Sequence, residues 1–565
     1  MRLFILLLLI NLPLKSFSNT PKFDNYITIC RAYGVVKYFS KECASGKLNI
    51  EDYTYSFVEK NDFNDDINVL LNRYLDAFKT KSIKGDSIDF IRFNKYLKSQ
   101  KFENRNDFFW INNEAFSAEN KRKIYSIINS YIPKNNKSFN LTEKSKVINH
   151  KNFLKSDSTQ SNLKYLVGFF QFWNVIKYYY PHLKSIDKNW DNVLNDNLPS
   201  FLTVNNDNNF KMELMSLTTI LRDSHVFVKQ KNKKDNNLRH PLGFKAIENK
   251  IVLFSILNDS VRISIPLKKG ALLTKINEIS VDSAFQTFLK YHSQSNSRIA
   301  FFNFSRSLPT LLNDSVSLTF NDSIKVSSKK IKDEKINLDD YYKELIISKD
   351  ISEKIGFINA SEIGYFEFGR AIKKLKHKEF IIFDCRGYAS LAVLRYGYLL
   401  NGKPKSVASY YYPFFKIPGY FIYGQDNYYG SSFEIALKIS GLLRENAKKI
   451  VPTFRKPFMG KAIILVNERA NSFGETNIMA LMAYCKNSIL IGSNTSGSNG
   501  NVAICNLIGD IEIGFTGIDF RFPNDVSTQR TGISPNIFVN QSLSDFSLGK
   551  DTVLDFAIQF INEKE

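Results

Sequence analysis

The sequence predicts a multidomain α+β protein, with helical modules first, a β-rich domain next, and an α/β core at the C-terminal end. Three observations carry this. The chain has 565 residues, too many for a single hydrophobic core. An aromatic helical pattern occurs in 31–39 and again in 171–179. Beyond residue 350, apolar strand-like runs alternate with helical spacing, the order expected of a layered α/β fold. Hydrophobic residues form 43% of the chain and 48 residues are Phe, ample for several cores.

At the start, Met1-Arg2 and the short apolar run Leu3–Ile10 precede Ser16-Phe17-Ser18, small residues where a signal peptidase reads. The run is too short to span a bilayer, and no cysteine follows for lipid attachment. Residues 1–18 therefore read as a signal peptide, with Asn19 as the mature N-terminus and a periplasmic or secreted location. No other stretch is apolar enough to be an integral membrane segment.

Residues 19–84 form the first helical module. Its Arg31-Ala-Tyr-Gly-Val-Val-Lys37-Tyr-Phe39 is echoed by Gln171-Phe-Trp-Asn-Val-Ile-Lys177-Tyr-Tyr179, and Glu51-Asp52-Tyr53 by Asn189-Trp190-Asp191. The second module, 161–235, runs on to Asp223-Ser224-His225, whereas the first reaches Asp86-Ser87-Ile88. Only the second can supply a base. Between them, 85–160 is rich in Asn, Lys and Ser and reads as a polar linker or small irregular unit. In 236–335, Ile251–Ile256 and Val261–Ile265 read as strands, followed by a helix around Ser283–His292.

The core, 350–565, holds two buried strands. Phe380–Phe383 stops at Asp384-Cys-Arg386-Gly387, whose glycine lets a backbone N–H approach a ligand. Lys461–Val466 leads into Asn471-Ser472-Phe473-Gly474-Glu475, and Thr476–Ala483 continues with helical spacing. Ser472 therefore sits where a strand becomes a helix, with outward N–H groups and a dipole that favours negative charge. A nucleophile and the oxyanion it creates need that setting. Ser-x-x-Glu is also the capping box of an ordinary helix, and a lone histidine is most often structural, so the residues alone leave both readings open.

In order, Gly364-Tyr365-Phe366, Phe383-Asp-Cys-Arg-Gly387, the Ser472 turn, Ile491-Gly-Ser-Asn-Thr495-Ser-Gly497 and Gln529-Arg-Thr-Gly532-Ile-Ser-Pro535 resemble the tricorn and carboxy-terminal processing peptidase family of serine proteases. The resemblance runs from about Asn162 to the C-terminus. It implies a ClpP/crotonase-like catalytic core preceded by a PDZ-like domain, with Ala271 and Glu278 departing from the PDZ pattern. It implies Ser472 as nucleophile, His225 as base, and the N–H groups of Gly387 and Phe473 as oxyanion donors. Gln529 would orient His225, Ser224 would relay that contact, and Glu475 would support the helix by capping or through its dipole. The processing branch uses a lysine base after the nucleophile. Gly497-Ser498-Asn499-Gly500 holds none, which favours the tricorn-like Ser-His arrangement.

The implied function is an exported serine peptidase acting on peptides or unfolded proteins. The alternative is a catalytically silent relative that binds peptides through the PDZ-like domain and core cleft. An acyl-CoA enzyme on a similar core is disfavoured by export and by the lack of a phosphate-binding loop. The net charge of +22 comes from scattered lysines without an aromatic-basic motif, which argues against nucleic acid. Five cysteines show no metal spacing, so no metal or cofactor is expected. Cys30 and Cys43 remain open as a bridge after export, as does a homo-oligomer.

Overall fold

The computed structural model describes residues 21–78, 102–104, 108–130, 139–141, 147–150, 162–231, 237–336, 346–388, 392–401, 406–413, 418–425 and 457–563. The signal-peptide reading, the Asp86-Ser87-Ile88 counterpart and most of the 85–160 unit lie outside these residues. The fold mixes helices and sheets throughout.

The two echoed segments are helices, Pro21–Phe39 and Leu163–Tyr179, and they pack on each other through equivalent positions. Tyr38 meets its counterpart Tyr178 edge-on at 5.0 Å. Gly34 faces its counterpart Asn174, and a Cβ on Gly34 would fall 1.8 Å from Asn174 Oδ1. Such self-complementary contact is the signature of an approximate two-fold. Each copy also holds a lysine on an acid 14 residues later: Lys37 bonds Glu51, and Lys177 Nζ lies 3.0 Å from Asp191. Gly34→Ala is expected to destabilise the protein by about 1–3 kcal/mol through overpacking, read as an earlier unfolding midpoint.

This helical layer is tied to the rest by a polar bridge. Gln171 donates to Glu51 Oε1 at 3.1 Å and accepts from Ile508 N at 3.0 Å. All five cysteines are free and buried, Cys30 and Cys43 included.

Residues 237–336 form a smaller β unit. Leu242–Ile247 and Lys250–Ile256 make a hairpin, and Ile324–Lys329, Ser315–Phe320, Leu273–Ile276 and Ile279–Ser280 pair in that order. The helix expected around Ser283–His292 occupies Val281–Leu289. The strand expected at Val261–Ile265 is instead a helix, Asp259–Ser264, capped by the Asn258 side chain accepting from Val261 N. Its alternation misleads because Ile263 faces solvent at 89% exposure, so no sheet face receives it.

The C-terminal region is built on a six-stranded sheet ordered Ser348–Asp350, Ile355–Ile358, Phe380–Asp384, Lys461–Val466, Ile489–Gly492, Ile537–Phe538. All neighbours after the first pair run parallel. Because successive side chains point to opposite faces, Ile381, Phe383, Ile464 and Val466 pack against helices Tyr365–Leu375 and Phe473–Tyr484. Ile382, Ile463 and Leu465 pack against helix Thr552–Glu563. Both faces are covered, which is why these strands read as continuous apolar runs. Their C-terminal ends, at Asp384 and Val466, lie side by side.

A second sheet joins the modules to this region in the order Phe139–Leu141, Val147–His150, Val502–Leu507, Ile511–Thr516, Phe227–Gln230. Its antiparallel register sets Gly514 opposite Phe227. Continued outward by one more pair of same-face residues, that register brings Thr516 opposite His225. Among the described residues no helix is long and apolar enough to cross a membrane.

Candidate active site

Ser472 starts helix Phe473–Tyr484 with φ 50° and ψ −118°, a region of the backbone map that costs a non-glycine residue about 1–3 kcal/mol. The turn is held from both sides. Ser472 N donates to Ser498 O at 2.8 Å, and Gly474 N to Asn471 O at 2.7 Å. The hydroxyl does not cap the helix. It points instead at Gly500 O, 3.4 Å away. The capping box that Ser-x-x-Glu allows is therefore not formed, because the backbone of Ser472 turns its side chain away from the N–H groups it would have to reach.

Glu475, the other half of that box, serves the neighbouring loop. Its fully buried carboxyl accepts from Thr495 Oγ1, from Gly497 N at 2.9 Å and from Ser498 N at 3.2 Å. It thereby fixes the 495–498 loop whose Ser498 carbonyl holds Ser472. Burial pushes its pKa up to about 7, against the lowering pull of those three donors.

Unfolded, this carboxyl titrates near 4.5, so the folded protein favours the protonated form. Its contribution to stability is complete below pH 4.5 and is lost as the pH rises through about 7, roughly 3 kcal/mol in total. Glu475→Gln is expected to flatten the stability profile across that window, as chemical unfolding at a series of pH values would report.

The base candidate is set at the end of the second helical module. His225 Nδ1 lies 2.8 Å from Thr516 Oγ1, and Thr516 Oγ1 donates to Asp223 Oδ1 at 2.9 Å. A hydroxyl has one proton. With that proton on the carboxylate, Thr516 accepts from His225 Nδ1–H, which leaves Nε2 as the unprotonated, basic nitrogen. Asp223 is completely buried and also accepts from Thr516 N at 2.9 Å and His225 N at 3.0 Å. Burial lowers the His225 pKa below 6.5, while the Asp223 charge pulls it back up.

Ser472 and His225 are not hydrogen-bonded to each other. Gly500 touches both neighbourhoods: Ser472 Oγ meets Gly500 O, and the Gly500 Cβ position lies 3.1 Å from Thr516 Cγ2. Gly500 itself needs φ 115° there, and a Cβ would fall 2.1 Å from Ile518 O.

Several site residues hold positions other than those their expected roles require. Gln529 shows no hydrogen bond to His225; its amide lies beside the Tyr180 hydroxyl instead. Thr516 already occupies the imidazole nitrogen that an orienting group needs. Ser224 shows no hydrogen bond to the imidazole; its hydroxyl accepts from Ser295 N at 2.9 Å while Ser295 Oγ accepts from Ser224 N at 3.0 Å. Gly387 does reach the nucleophile turn, its carbonyl 3.2 Å from the Gly474 Cβ position. Its N–H, however, already donates to Ser361 Oγ at 3.0 Å. Phe473 N–H has no backbone partner among the described residues.

Thr516 and Ser361 had no assigned role in the sequence reading. Both end apolar strands or the turns just after them, the same signal that marked Asp384 and Ser472. With Thr516 holding the imidazole, Gln529→Ala is expected to keep kcat within about tenfold of the parent, far short of a mis-set triad. A deeper loss in steady-state kinetics would restore Gln529 to the orienting role.

Among the described residues no group of three or more His, Cys, Asp or Glu could hold a metal. No family model matches the sequence, and no curated protein matches it. Solved structures do. Tricorn protease aligns with TM-score 0.34 at 13% identity, over 71% of this chain and 37% of that one. One structure of mature CPAF aligns with TM-score 0.49 at 12% identity, over 68% and 94%. Mature CPAF complexed with lactacystin aligns with TM-score 0.52 at 13% identity, over 71% of this chain and 99% of that chain. On this last alignment, the chain shares the overall fold of mature CPAF.

Proposed function

We propose that this chain is an exported serine peptidase of the tricorn-like Ser-His type. Ser472 attacks the scissile carbonyl, His225 Nε2 takes its proton and later returns it to the leaving amine, and Phe473 N–H receives the oxyanion. The observation that carries the reading is the backbone of Ser472. A serine forced to φ 50°, with its hydroxyl released from capping duty, has no structural reason to be strained. Strain of this kind persists where function requires it. On this reading Ser472, His225 and Phe473 N–H supply the three parts that amide hydrolysis uses: a nucleophile, a base with a defined tautomer, and an N–H at a helix start.

On this reading the orienting group is Asp223 acting through Thr516, with Ser224 clamped to the β unit and Gln529 outside the relay. Gly387 N–H joins the oxyanion donors once Ser361 rotates away, which requires only the loss of one 3.0 Å hydrogen bond. Residues 350–565 act as a ClpP/crotonase-like core and 236–335 as a PDZ-like domain that presents peptide. The substrate is a peptide or unfolded protein in the periplasm or outside the cell. The likeness of fold to CPAF supports this assignment.

The occupied Gly387 N–H favours the second reading, a silent peptide-binding relative. Hydrolysis of unfolded casein by purified protein separates the two. Cleavage that disappears in Ser472→Ala is expected. Casein that is bound but never cut, under conditions where the protein is folded, leaves the silent relative.

A further inference from the structure

Beside the nucleophile turn lies a cavity of about 300 Å³ between the β unit and the core. Lys245 and Lys269 enter it from the β unit; Arg386, Arg469 and Lys550 enter it from the core. Arg386 is fully engaged, forking onto Asp384 at 2.7 and 3.0 Å and onto Asp551 at 2.6 and 2.7 Å. The other four cations have no carboxylate partner within 4.0 Å among the described residues. The wall's remaining carboxylate is Glu362, exposed at the rim.

Five cations against the three carboxylates Glu362, Asp384 and Asp551 leave the wall of this solvent-open cavity with an excess of positive charge. The aromatic wall offsets part of it. Lys245 and Lys269 lie 5.2 and 4.8 Å from the Phe546 ring, and Phe546 stacks on Phe254 at 6.2 Å. The excess is felt at Lys245: burial first, then Arg469 and Arg386, holds its pKa down to about 8 against the raising pull of Glu468 and Asp551. An arriving anion would relieve this repulsion.

The cavity adjoins the catalytic turn. Gly387, in its wall, has its carbonyl 3.2 Å from the Gly474 Cβ position, and Arg469 lies on the loop leading into Ser472. The volume is at the bottom of the range for ligand sites, enough for one side chain and too small for a folded peptide segment.

We propose that this cavity is a subsite for an acidic side chain, Asp or Glu, of a polypeptide bound across the Ser472 turn. The polypeptide in this statement rests on the peptidase reading, whereas the preference for an anion rests on the cavity alone.

The test measures binding rather than turnover. Full-length Ser472→Ala protein is titrated with two pools of acetylated, amidated decapeptides. They are identical except for a central Glu in one and Gln in the other, with random flanks. The Glu pool is expected to bind about tenfold more tightly, and Lys245→Met is expected to remove the difference. Lys269→Met, at an exposed position, tests the same pocket if the substitution at half-buried Lys245 disturbs folding. Equal binding of the two pools, including no measurable binding of either, overturns the proposal, as does a preference that survives both lysine substitutions. The protein with Ser472 intact is assayed against the same pools. A Glu preference without hydrolysis would remove the peptidase reading and leave the anion site standing; hydrolysis without a Glu preference would do the reverse.

Discussion

Ser472→Ala is expected to abolish peptide hydrolysis, with kcat falling by more than about 10⁴-fold and the fold unchanged. The asymmetry follows from what the side chain does. Its hydroxyl makes one long contact, 3.4 Å to Gly500 O, so its removal costs little stability. The strained turn is held by backbone bonds from Ser472 N and Gly474 N, which alanine keeps. His225→Ala should be as severe, because a nucleophile and its base act as a unit and their losses do not add. Steady-state kinetics on a quenched peptide, with circular dichroism of each variant, reads both effects. If either variant retains parental turnover, the assigned pair is wrong.

The second large effect is expected at the relay behind the histidine. Thr516→Val keeps the shape of the side chain but leaves His225 Nδ1–H without an acceptor and takes from buried Asp223 the hydroxyl, one of its three donors. Asp223→Asn removes the charge that favours imidazolium as the proton arrives. Each should lower kcat by about 10²–10³-fold with KM little moved, since neither residue reaches substrate. The pH profile separates positioning from mere folding damage. The Asp223 charge raises the His225 pKa while burial lowers it. Asp223→Asn must therefore shift the acid limb of kcat/KM to lower pH. An acid limb that stays in place, or moves upward, contradicts the relay.

Much of the architecture was legible because it is local. Phe380–Asp384 and Lys461–Val466 are apolar on both faces, and the parallel sheet covers both faces with helices. The strand-to-helix serine was equally plain. That the Ser-x-x-Glu spacing does not close into a capping box depends on two dihedral angles at Ser472, which no pattern records. The echo of 31–39 in 171–179 was visible as a repeat. That its copies pack face to face, Gly34 on Asn174 and Tyr38 on Tyr178, depends on tertiary contact.

The relay escaped the sequence for a related reason. Thr516 meets His225 across 291 residues, through a strand register set by neighbours on both sides of Ile511–Thr516. A residue chosen by proximity in a motif, such as Ser224 or Gln529, carries no information about that register. Glu475 misled in another way. Its spacing to Ser472 is right for a cap, but its carboxyl finds three stronger donors on the 495–498 loop, one of which is itself a hydroxyl that goes on to hold Ile533 N at 2.7 Å.

The most direct test of the central claim is fluorophosphonate labelling of the folded protein, with the modified residue located by mass spectrometry. Only a serine whose proton is taken up by a base and whose adduct is held by an oxyanion donor reacts quickly. The account predicts one fast adduct, on Ser472, that disappears in Ser472→Ala and is slowed by His225→Ala and Asp223→Asn. A folded protein that takes up no label, or takes it on another serine at the same rate in all four proteins, would contradict it.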